Sequence, residues 1–176
     1  MSRLSRCGVA FFVGVTLTMV SCVTDDGGRT DTTPRRQPAG IKPAMLSLVA
    51  RDFSDTDANE WRDSTLVYVY LFGDDVRYAP SISATGTFKF TLFGPASGES
   101  SGAQTLAVWD FDAAYAAQAM SDSPLGPRFQ FVLDLRPAGK ERLPTHQATL
   151  GCLFTPTDGA PIGSRDTIPV TVGRVR

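Results

Sequence analysis

The sequence predicts an all-β chain: an antiparallel β-sandwich, immunoglobulin-like or transthyretin-like, with one short helix, preceded by a signal peptide and a disordered linker. Three observations carry this. From Ala44 onward apolar residues recur at every second position, the period of a half-buried strand rather than of a helix. The alternating runs number seven or eight, and Gly-, Pro-, Asp- and Ser-rich turns separate them at sandwich-like spacing, with a small barrel as the alternative. No helix falls between each pair of strands, so a parallel sheet is disfavoured.

The first strand spans Met45–Arg51, with Leu46, Leu48 and Ala50 on one face. Thr65–Phe72 follows, Val67, Val69 and Leu71 pointing one way and Tyr68, Tyr70 and Phe72 the other. Both of its faces are apolar, which suits the middle of a sheet. Gly73-Asp74-Asp75 is turn chemistry, and Ser81–Ala84 is a short edge strand after Pro80. Gly86–Phe93 alternates cleanly, Phe88, Phe90 and Leu92 inward and Thr87, Lys89 and Thr91 outward. Gly94–Gly102 is a loop, and Gln104–Phe111 returns as a strand carrying Trp109. Asp112 caps a short alanine-rich helix, Ala113–Met120, which Ser121–Pro127 ends. Phe129, Phe131, Leu133 and Leu135 line the next strand, and Ala148, Leu150, Cys152 and Phe154 another. Ile168, Val170 and Val172 close the domain, with Pro169 placing that strand at an edge or bulge.

Composition narrows the function. Hydrophobic residues at 42% and charged residues at 20% describe a chain that folds. Seventeen basic against eighteen acidic side chains leave no electrostatic footprint for nucleic acid. The single histidine, His146, stands at the start of a strand and has no cysteine cluster with which to build a zinc site. Cys152 alternates with Leu150 and Phe154 on an apolar face, the setting of a small buried hydrophobe rather than of a nucleophile. These residues predict a chain without catalytic activity.

One constellation could hold a metal. In the loop joining the first two strands, Asp55, Asp57 and Asn59 follow the D-x-D-x-N spacing that places calcium ligands at positions 1, 3 and 5, and Asp63 stands at position 9. Two positions depart from that pattern: Glu60 occupies the place of the turn glycine, and Leu66 that of the closing glutamate. The other reading is a solvated loop whose Asp and Asn side chains satisfy their own backbone. Tyr68, Tyr70, Trp109, Phe111 and Tyr115 are candidates for stacking on a sugar or peptide, or for filling a two-layer core.

Asp55–Asp63, Val67–Leu71, Gly86–Phe93, Leu106–Phe111 and Phe154–Gly159 together cover most of the domain. In that order they resemble a group of uncharacterised, planctomycete-like secreted bacterial lipoproteins, a resemblance that implies a β-sandwich and no known activity.

The amino terminus supplies the address. Arg3 and Arg6 precede an uncharged run from Cys7 to Cys22, about 15 residues and too short for a bilayer-spanning helix. Met19-Val20-Ser21-Cys22 resembles the bacterial lipobox, which implies cleavage after residue 21, lipidation of Cys22 and anchoring to the cell envelope. An ordinary signal peptide cut nearby is the alternative. In the lipoprotein reading Val23 stands at the sorting position and implies the outer membrane. Domain boundaries follow: residues 1–21 signal peptide, 22–43 lipidated cysteine and linker, 44–176 sandwich. The linker has almost nothing apolar to bury, and as a coil it would span about 25 Å. The expected partners are the membrane, through the lipid, and a protein or glycan.

Overall fold

The β-period of the sequence is realised in eleven strands, seen in a computed structural model that describes residues 37, 39–75, 79–95 and 103–175. These are β1 (Pro43–Ala50), β2 (Trp61–Arg62), β3 (Ser64–Gly73), β4 (Gly86–Phe93), β5 (Thr105–Phe111), β6 (Met120–Ser123), β7 (Gly126–Asp134), β8 (Gln147–Pro156), β9 (Ile162–Gly163), β10 (Ile168–Thr171) and β11 (Gly173–Arg174). Among the described residues one α-helix, α1 (Ala113–Gln118), lies between β5 and β6, and a 3-10 turn, Arg136–Ala138, follows β7. One sheet runs β1-β3-β7-β6, and the other β10-β8-β4-β5 with β9 also on β8. β2 and β11 form a separate ribbon. Every ladder is antiparallel, and the two larger sheets make a β-sandwich.

Alternation decides which side chains meet between the sheets. Leu46 and Leu48 of β1, Val67, Val69 and Leu71 of β3, and Phe129, Phe131 and Leu133 of β7 face Phe88, Phe90 and Leu92 of β4 and Leu150, Cys152 and Phe154 of β8. β3 lies between β1 and β7, the central position its two apolar faces predict. β10 is the terminal strand of its sheet, so Pro169 withholds no ladder hydrogen bond that the sheet needs.

Three segments differ from the sequence reading. Ser81–Ala84 is no strand; it makes one bridge, Ile82 to Leu71. Ser81 is fastened elsewhere, its N–H and hydroxyl both donating to Leu125 O and the hydroxyl also reaching Pro127 O. Asp112 does cap α1, accepting the Tyr115 N–H at 2.7 Å, but the helix ends at Gln118. Residues 120–123, expected as the last residue of the helix and the start of its break, pair with β7 as a hairpin. Ladder bonds to a distant segment outweigh the weak strand propensity of Met-Ser-Asp-Ser. The last strand divides in two at Val172, which is fully buried and donates to His146 O. Gly173 then turns the chain at φ +76°, where an added Cβ would stand 2.4 Å from Thr145 O. Residues 1–36 and 38, on which the expected signal peptide, Cys22 and nearly all of the expected linker fall, lie outside the described residues.

Candidate functional site

The acidic segment is a loop pinned at its base. Phe53, fully buried against Trp109, anchors one end in the core. Ser54 and Ser64 close the neck, Ser54 N donating to Ser64 O at 2.8 Å and Asp63 N to Ser54 O at 2.9 Å. Between them the chain curls tightly enough that one carboxylate oxygen each of Asp55, Asp57 and Asp63 lies within 4.8 Å of the others. Three of the four side chains expected to share a cation therefore do converge.

Their hydrogen bonds show what else holds them there. Asp55 accepts the N–H of Asn59 at 3.2 Å and of Glu60 at 2.8 Å. Desolvation raises its pKa, but these and neighbouring backbone donors together outweigh it and hold the carboxyl below its ordinary range. Asp57 accepts both the N–H and the side-chain amide of Asn59. Asn59 turns its own carbonyl oxygen onto Trp61 N–H at 2.8 Å and reaches Glu141 with its amide. Its side-chain oxygen, the atom a cation would need, is thus spent on the backbone.

Asp63 differs from the rest. It is 0% exposed, and it accepts the Thr56 hydroxyl at 2.7 Å and the Thr56 N–H at 3.3 Å. Arg136 stands 4.0 Å away, at the limit of an ion pair, because its guanidinium engages Asp134 in a fork. The side-chain hydrogen bond from Arg136 holds the Asp134 carboxyl below its ordinary range.

The two departures from the calcium spacing resolve differently. Glu60, where a glycine is expected, nevertheless adopts φ +71°, and Ala58 adopts φ +61°. The sharp turn is made without glycine, helped by Val175 N donating to Glu60 O and by the ion pair of Glu60 with Arg174. Leu66 lies in β3 and supplies no oxygen. Because an alanine in the left-handed region costs about 1 kcal/mol that glycine avoids, Ala58→Gly should stabilise the fold by about 0.5–1 kcal/mol in urea melts. An unchanged or lowered midpoint would contradict the strain assigned to this turn.

The aromatic candidates separate into two groups. Trp109 donates its indole N–H to Asp134 O at 2.8 Å, and Phe111 packs on Phe90, Phe131 and Tyr115, so these rings seal one side of the core. Tyr115 is exposed over that seam. Tyr68 and Tyr70 belong elsewhere: with Phe72 they stand half-buried on the outer face of β3, since the intervening valines and Leu71 point inward. Arg128 lies over the Tyr68 ring at 4.6 Å.

Cys152 is buried, and desolvation pushes its thiol well above the usual range, so it is a neutral core group. His146 borders a cleft with Arg62 and Arg174. Sequence reasoning missed Thr56, Arg136 and Glu141 around the acidic loop. Thr56 lay within the loop and was legible; Arg136 and Glu141 arrive from far along the chain and left no local signal. It also missed that Gly98-Glu99-Ser100-Ser101-Gly102 spells the G-x-S-x-G of a hydrolase nucleophile elbow. That motif requires a strand-to-helix turn, whereas these residues connect two strands, β4 and β5, and lie outside the described residues. The chain matches no family model, no curated protein and no solved structure.

Proposed function

We propose that this chain is a non-enzymatic envelope lipoprotein, a β-sandwich interaction or structural module held at the outer membrane by acylated Cys22. The observation that carries the reading is the basic start, short apolar run and Val20-Ser21-Cys22 ending of the first 22 residues. The state of Cys152 supports it: a thiol buried in the core is no disulfide partner for Cys22, which leaves that cysteine for lipid. Several acyl chains on one terminus would hold far more firmly than the marginal grip of a single myristoyl group. The resemblance to planctomycete-like secreted lipoproteins agrees with this address.

Mass spectrometry of the mature amino terminus tests it. The expected result is a chain beginning at Cys22 with diacylglycerol on the thiol, and Cys22→Ser moving the protein from the membrane to the soluble fraction. A mature terminus elsewhere, with an unmodified thiol, would refute the anchor.

A second reading is favoured by one specific observation, the row of Tyr68, Tyr70 and Phe72 on an outer sheet face. On this reading the sandwich binds a carbohydrate or a peptide through that face. Tyrosine suits the role, with an apolar ring to stack and a hydroxyl to hydrogen-bond. As for cofactors, we assign none to the activity. The bonds of Asp55, Asp57 and Asn59 to backbone N–H groups support the loop as a self-satisfied structural element, with Ca²⁺ at Asp55, Asp57 and Asp63 as the competing assignment.

A further inference from the structure

The outer face of the β1-β3-β7 part of its sheet carries a run of apolar and aromatic side chains. Down the middle run Leu66, Tyr68, Tyr70 and Phe72, all half-buried. Beside them on β1 stand Met45 opposite Phe72, Ser47 opposite Tyr70 and Val49 opposite Tyr68. On β7, Gln130 is opposite Tyr68 and Val132 opposite Leu66. Met45, Val49 and Val132 are exposed, so an apolar strip borders the aromatic row on both sides.

Two charged side chains of β7, Asp134 and Arg128, stand on this face. Asp134, at its far end, is paired with Arg136. Arg128, near the opposite end of β7, makes no ion pair among the described residues. Its Nε donates to Ser121 Oγ at 3.2 Å and its guanidinium carbon lies 4.6 Å from the centre of the Tyr68 ring, two contacts that restrain the group. The Nη edge is left without a protein acceptor among the described residues. A planar, pre-oriented guanidinium with a free edge matches a carboxylate, which it can hold through two parallel hydrogen bonds.

Area separates the occupants. Leu66 to Phe72 spans about 20 Å along β3, and three strands with their side chains about 15 Å across, or about 300 Å². Two copies face to face would bury about 600 Å², half of what a stable protein interface needs. A linear ligand one chain wide fits the strip instead.

Resting on the reading of this face as a binding surface, we propose that it takes an acidic oligosaccharide. The apolar faces of the sugar rings stack along Tyr68, Tyr70 and Phe72, and a uronate carboxylate is held by Arg128. Ser47, Gln130 and the two tyrosine hydroxyls offer partners to the sugar hydroxyls.

Calorimetric titration of the full chain in detergent micelles tests this, using oligogalacturonate, a cello-oligosaccharide of equal length and poly-glutamate. The expected result is binding of oligogalacturonate at least ten-fold tighter than of the neutral sugar or the peptide. Arg128→Gln should remove that preference, Arg128→Lys should retain part of it, and Tyr70→Ala should weaken both sugars. Urea melts of each variant establish that it is folded. Equal affinity for the neutral sugar would overturn the acidic assignment while leaving the binding face intact. Absence of binding to any of the three would overturn both. Equal or tighter binding of poly-glutamate would point to an acidic peptide, and self-association abolished by Tyr70→Ala to a second copy, each against the proposal.

Discussion

Phe88→Ala should cost the fold about 3–5 kcal/mol, the largest single loss expected from any core substitution here. The Phe88 ring is 1% exposed and sits at 4.7–5.0 Å between centroids from Phe129, Phe131 and Phe154, with Phe90 at 6.4 Å. It therefore joins β4 to its own sheet through Phe154 and to the opposite sheet through β7. Removing it leaves a cavity lined by aromatic rings, which are rigid and collapse poorly into space, and it also forfeits three tilted ring contacts and one stacked one. Domains of this size are stable by about 5–15 kcal/mol, so the variant should retain little margin. Urea melts read the change as a lowered midpoint at unchanged slope. Val132→Ala, on an outer position of β7 that is 53% exposed, should move the midpoint by less than about 0.5 kcal/mol. A loss below about 1.5 kcal/mol at Phe88 would mean that the ring cluster is not the centre of the core.

Phe88 is also where the sequence was most readable. Its strand alternates without exception, and a period of two with one face made of Phe, Phe and Leu admits one burial pattern. The same logic located β3, β7 and β8. It failed where pairing rather than periodicity makes the strand. β6 has no apolar alternation and exists because β7 presents a matching edge next to Gly126, whose φ of +108° sets the hairpin turn. β2 and β11 are two-residue ladders between segments more than a hundred positions apart, beyond any local pattern. Ile82 reads as part of a strand by composition, but Ser81 and its bonds to residues 125 and 127 hold the segment as a strap.

The acidic loop was half legible, for a related reason. Spacing alone brought Asp55, Asp57 and Asp63 to attention, because alternate positions in a curled loop must converge. Spacing could not tell that Asn59 would face Trp61, or that Glu60 would accept a left-handed backbone. Nor could it rank the three carboxylates, since burial depends on what packs over the loop. For the aromatics, alternation assigned Tyr68 and Tyr70 to one face but did not say whether a second layer would cover it.

Asp63→Ala should destabilise the fold by about 2–4 kcal/mol, and the pattern among the loop variants decides what the cluster is for. Asp63 is the one fully buried member, and its removal strands the Thr56 hydroxyl and N–H without their acceptor. Asp63→Asn keeps a carbonyl oxygen of the same reach, so it should recover part of the loss. Asp57 is exposed and bonds only to Asn59, so Asp57→Asn should cost less than about 1 kcal/mol. That ranking, with a thermal midpoint unmoved by chelator, is what a hydrogen-bonded scaffold requires: each residue matters in proportion to the protein donors it satisfies. A calcium site would give a different pattern. Binding to the folded state alone adds stability that rises with ligand concentration, so the wild-type midpoint would climb with added Ca²⁺ and fall with chelator. Asp55, Asp57 and Asp63 would then become comparably costly to lose, because each supplies one oxygen to the same ion, and Asp63→Ala would erase the calcium dependence. Exposure separates the two cases, since only an ion can make the exposed Asp57 as important as the buried Asp63.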